Sequence, residues 1–124
     1  MQLHIDQPSG LNIIRAYATG FVVVNDLRIT QPVLVTPKRL VNPWIEGDFT
    51  GLRLEDLERV AELEPDIVLL GTGGRLHFPP PTILAPLRQR HIAVEVMDTG
   101  AACRCYTVLA AEDRNVAAAL LMID

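Results

Sequence analysis

The chain has 124 residues, enough for one domain that buries a core without metals or disulfides. Its composition, 49% hydrophobic and 21% charged, excludes a disordered chain. The formal net charge of −4 argues against a nucleic-acid binder, which selects for excess base.

In chain order, Ile13 to Ala18 and Phe21 to Val24 are β-prone runs separated by Thr19-Gly20. Asn25-Asp26 predicts a tight hairpin turn into Leu27-Arg28-Ile29. Val33-Leu34-Val35 lies between Pro32 and Pro37. The first third therefore reads as short antiparallel strands, kept short by prolines. Residues 38–52 read as irregular. From Leu54, apolar residues at Leu57, Val60 and Ala61 recur at helical spacing, with Glu55, Asp56, Glu58, Arg59 and Glu62 assigned to the solvent side. Pro65 limits that helix.

Ile67 to Leu70 has no alternation, as expected of a strand covered on both faces. It stops at Gly71-Thr72-Gly73-Gly74-Arg75. Three prolines follow, and Thr82 to Arg90 is expected to be a helix despite Pro86. Ala93 to Met97 is the next strand. Asp98 and Thr99 then supply cap oxygens to a helix from about Gly100 to Ala111, whose apolar stripe is Ala102, Cys103, Tyr106, Leu109 and Ala110. Val116 to Ile123 reads as a last strand. The prediction is a compact α/β domain over 1–124, a strand-rich third followed by α-β-α-β-α-β with parallel strands. The strands ending at Leu70 and Met97 are expected to be neighbours.

Candidate chemistry centres on the glycine turn. It is not a dinucleotide fingerprint, because Leu76 stands where the third glycine would fall, and it lacks the G-K-[ST] ending of a phosphate loop. Two readings remain open. The turn is a sharp strand exit, or its backbone N–H groups and Arg75 hold an anion. Asp98 and Thr99 cap a helix or line the same edge. His77 lies in the glycine-proline loop, whereas His4 and His91 are scattered from it, so no metal site is expected. Cys103-Arg104-Cys105 has one residue between the thiols, unlike C-x-x-C redox and zinc pairs. Trp44 either fills the core or anchors a partner. Two basic clusters, Lys38-Arg39 and Arg88 to His91, read as solvated surface. The N-terminus has neither a signal-peptide pattern nor a transit-peptide pattern, and no apolar run reaches membrane-spanning length, so a cytoplasmic protein is expected.

Taken together, Leu54-Glu55-Asp56-Leu57, Glu64-Pro65-Asp66, Leu70-Gly71-Thr72-Gly73, Val96-Met97-Asp98-Thr99, Ala102-Cys103 and Tyr106 resemble a small family. It contains the mitochondrial respiratory complex I assembly factor 3, the adipogenesis-associated protein with the same domain, and bacterial and archaeal relatives. The resemblance implies a compact α/β domain with a β-hammerhead-like element. It implies binding to a protein partner, respiratory-complex assembly by analogy, no cofactor and no catalytic residue to carry over. The expected function is protein binding through Gly71, Thr72, Gly73, Arg75, His77 and Trp44. The alternative is a small anionic metabolite held by Gly71, Thr72, Gly73, Arg75, Asp98 and Thr99. A third reading makes Cys103 and Cys105 a redox or metal pair.

Overall fold

A computed structural model describes residues 11–124. His4 lies outside the described residues. Ile14–Ala18 (β1), Phe21–Val24 (β2) and Leu27–Ile29 (β3) form an antiparallel three-stranded sheet. Asn25 turns β2 into β3 in the left-handed region, φ +57°, which asparagine tolerates better than most residues. Its side chain works inward: Oδ1 accepts the Ile13 N–H at 2.9 Å and Nδ2 donates to Asn12 Oδ1 at 3.0 Å.

Val33–Val35 (β4), Leu40–Val41 (β5), Ile67–Gly71 (β6), Ala93–Met97 (β7) and Val116–Leu120 (β8) form the second sheet, in the order β5-β4-β8-β6-β7. β6 pairs in parallel with both β7 and β8. β4 departs from the expected run of antiparallel neighbours: it leaves the first sheet and pairs antiparallel with β8. β5 lies in the segment expected to be irregular. β8 ends at Leu120, short of the predicted Ile123, which instead bridges to Thr19 of the hairpin.

The five-stranded sheet is covered on both faces. On one, Val33, Val35, Leu69, Ala118 and Leu120 meet Ala102, Cys103 and Tyr106 of the helix Thr99–Ala111, together with Ile14, Val22, Val24 and Ile29 of the small sheet. On the other, Leu34, Val68, Leu70, Ala117 and Ala119 meet Leu57, Val60, Leu84, Leu87 and Trp44. Odd and even positions of each strand thus divide between the faces, and the layers explain the unbroken apolar run of β6.

The helices are Leu54–Ala61 (α1), Ala85–Gln89 (α2) and Thr99–Ala111 (α3). The expected helix over Thr82–Arg90 is split. A 3₁₀ helix spans Pro81–Leu84, and α2 then starts afresh with Pro86 in its first turn. That position needs no amide proton, so the ring interrupts nothing. In α1, Leu54 is 38% exposed, whereas Asp56, assigned to solvent from its charge, is buried. Asp56 Oδ2 accepts the Arg53 N–H at 2.8 Å, and its Oδ1 pairs with Arg59 at 2.6 Å. Capping and pairing together hold this carboxylate inside.

Candidate functional site

Gly71 ends β6 in register with Met97 on one side and Leu120 on the other. Its carbonyl accepts the Leu121 N–H at 2.9 Å. A Cβ there would stand 3.0 Å from Leu120 Cδ2 and from Thr99 Cα and Oγ1, so packing demands glycine. The Thr72 N–H donates to Met97 O at 2.9 Å. Gly73 has φ +100°, a conformation open to glycine. Its N–H donates to Thr99 Oγ1 at 2.8 Å, and its carbonyl accepts the Thr99 N–H at 2.9 Å.

Two threonines organise this exit. Thr99 is wholly buried, and its hydroxyl donates onward to Leu121 O at 2.6 Å. The Thr72 hydroxyl accepts the His77 N–H at 3.1 Å. It faces Arg75 O at 2.6 Å and Met97 O at 3.2 Å. One hydroxyl proton serves one strong acceptor, and the shorter contact selects Arg75. Residues 72–77 therefore wrap around a single hydroxyl.

What the wrapped loop displays is Gly74, Arg75, Leu76, His77 and Phe78, all exposed. Phe78 is 73% exposed and Leu76 49%. The His77 ring lies 5.1 Å from the Phe49 ring, centroid to centroid. The Arg75 guanidinium has no ion-pair or hydrogen-bond partner among the described residues. Leu76 and Phe78 were absent from the sequence candidates. The signal that finds them is two large apolar residues inside a glycine-proline loop, where no helical or strand period buries them.

The remaining candidates lie in the scaffold. Asp98 Oδ1 accepts the Ala101 N–H at 2.9 Å and caps α3. Thr99, beside it, turns its hydroxyl into the sheet rather than onto the helix. Trp44 is buried, and its Nε1 donates to Leu120 O at 3.0 Å; it fills the core on the α1 side. Arg59 Nη2 donates to Trp44 O at 3.1 Å and ties that segment to α1. Cys103 and Cys105 are both free thiols. Burial pushes the Cys103 thiol up to about 12, which suppresses the thiolate needed for nucleophilic, redox or metal chemistry. Among the described residues no group of three or more His, Cys, Asp or Glu is placed to hold a metal ion. Among the same residues, no helix is long and apolar enough to cross a membrane.

The architecture defines a mixed α/β domain of two sheets that presents one loop from the end of a buried parallel strand. The chain belongs to the DUF498/DUF598 family, described as proteins of unknown function, whose model matches residues 14–121. It is 36% identical over 110 residues to the NADH dehydrogenase (ubiquinone) 1 alpha subcomplex assembly factor 3 of Xenopus tropicalis, covering 87% of this chain and 60% of the relative. It thus spans about three-fifths of that relative's length. The fold is similar to a crystal structure from Bordetella parapertussis, with a TM-score of 0.86, 35% identity and coverage of 94% of this chain and 99% of that one. It is also similar to a Mth938-like domain of Bordetella pertussis, with a TM-score of 0.82, 31% identity and coverage of 98% and 92%. The resemblance read from the sequence is thereby established as family membership.

Proposed function

We propose that this domain acts by docking a protein partner through the loop from Gly71 to Phe78, in the manner of an assembly factor for a respiratory NADH dehydrogenase. The observation that carries the reading is the exposure of Leu76 and Phe78 on a loop whose base is held by hydrogen bonds of Thr72, Gly73 and His77. Large apolar side chains held in solvent by a folded scaffold suit association better than chemistry. Arg75 and His77 supply polar contacts around them. Gly71, Thr72, Gly73, Asp98 and Thr99 hold the loop in place, and Trp44 seats the neighbouring segment. The relatives from Xenopus tropicalis and Bos taurus are named as NADH dehydrogenase (ubiquinone) 1 alpha subcomplex assembly factor 3, and that name suggests the class of partner.

The test is co-purification of NADH dehydrogenase subunits with the tagged chain from its native cells, quantified by mass spectrometry. A Leu76→Ser, Phe78→Ser double variant is expected to keep its thermal midpoint and lose most of that recovery. Failure of the wild type to enrich any such subunit over a tagged control sinks the reading. So does full recovery with the double variant.

A further inference from the structure

At the opposite pole of the five-stranded sheet, the β4–β5 turn and the α3–β8 turn flank a hollow of about 550 Å³. This volume lies within the range of small-molecule sites, about 300–1,000 Å³. Its charged lining is Lys38, Arg39, Asp113 and Arg114. Three cations less one carboxylate leave an excess of two positive charges, on a chain whose net charge is −4. Among the described residues, none of the three cationic side chains has an ion-pair partner. Leu63 and Ala110 add apolar wall beside them.

The cations stand on built turns. The Thr36 N–H donates to Arg39 O and the Arg39 N–H to Thr36 Oγ1, both at 2.9 Å. Asn12 Nδ2 clamps the same turn from inside, at 2.9 Å to Thr36 O and 3.0 Å to Arg39 O. Across the hollow, Asp113 adopts φ +60° and the Arg114 N–H donates to Leu109 O at 3.0 Å. Two fixed backbones therefore bring like charges to one concavity, where mutual repulsion is relieved by an anion between them. Guanidinium groups from two elements suit the planar oxygens of a carboxylate or the tetrahedral oxygens of a phosphate. The adjoining hollow beyond Pro65 is different: there Glu64 and Asp66 stand beside Arg90, so no excess of positive charge is left.

We propose that the hollow between Arg39 and Arg114 binds a small oxyanion ligand, a polycarboxylate or phosphate compound whose carbon skeleton rests on Leu63 and Ala110. The site is distinct from the docking loop, and neither reading depends on the other. Inorganic phosphate and citrate are titrated separately into the full chain, with chloride at matched ionic strength as control, and amide chemical shifts are followed. Saturable shifts at Thr36 to Arg39 and Asp113 to Asn115 are expected with at least one probe. An Arg39→Gln, Arg114→Gln double variant should weaken that binding by about tenfold or more with its thermal midpoint kept, since charge-assisted bonds are lost. Lys38→Gln, on an exposed side chain, gives a second variant with a smaller loss. Shifts that chloride reproduces, shifts that saturate at Gly71 to Arg75 instead, or affinity unchanged in both variants would overturn the proposal.

Discussion

The hydroxyl of Thr99 accepts the Gly73 N–H at 2.8 Å while donating to Leu121 O at 2.6 Å, and so joins three chain segments at one buried atom. Thr99→Val keeps the shape and removes the hydroxyl. Each stranded buried group costs about 1–3 kcal/mol. The variant is expected to lose stability on that scale in urea unfolding, whereas Thr99→Ser should retain most of it. Equal losses in the two variants would show that packing, not the hydroxyl, is at stake.

Gly71→Ala tests the closeness of the strand exit. The added methyl meets Thr99 Cα, a backbone atom that cannot swing aside, at 3.0 Å. Overpacking of this kind costs about 1–3 kcal/mol. A lowered denaturation midpoint is expected, and an unchanged one would mean that β6 and α3 separate freely.

Thr72→Val removes the atom around which residues 72–77 are wound. Faster hydrogen exchange of the His77 amide is expected, with slow exchange maintained in β6 and β8. Thr72→Ser should behave as the wild type. Protection at His77 in the valine variant would refute the role given to this hydroxyl.

The Cys103 thiol titrates well above its ordinary range because burial disfavours the thiolate, with Asp98 adding to the rise and Arg104 opposing it. A group with a raised folded pKa stabilises fully below its unfolded value. Stability should therefore be complete below about pH 8.5 and fall as pH rises from there toward about 12, with a slope approaching 1.4 kcal/mol per pH unit. Tyr106, also raised by burial, adds to the loss at the alkaline end. Urea unfolding of Cys103→Ala against the parent between pH 8 and 10.5 checks this: the parent's decline should be the steeper. Parallel curves would remove Cys103 from the account.

Local chemistry was legible, and so was the parallel pairing of β6 with β7 that a strand-helix-strand unit imposes, whereas the pairing that joins the two halves of the chain was not. The Asn25 turn, the α1 start, the β6 exit and the Asp98 cap all rest on neighbours in sequence, where turn preference and periodicity act. The pairing of β4 with β8 joins Val33 to Leu120, and nothing within either run encodes the other. Trp44 was ambiguous for the same reason, because the carbonyl that holds its indole belongs to Leu120. Asp56 misled because its charge speaks for solvent while its place at the helix start speaks for capping. At the loop, the glycines and prolines announced irregular backbone. Leu76 and Phe78 stood out only as large apolar residues with no period to bury them, and which way such side chains turn is set by the hydrogen bonds of the folded loop.

The winding of residues 72–77 around Thr72 bears on the thermodynamics of association. Much of the cost of binding a loop is the ordering of its backbone, which a mobile segment bears at the moment of contact. Here the carbonyl of Arg75 and the amide of His77 are fixed when the domain folds, before any partner arrives. The entropy of arranging this display is thereby charged to folding, and the strength of an encounter at Phe78 is left to the contact itself.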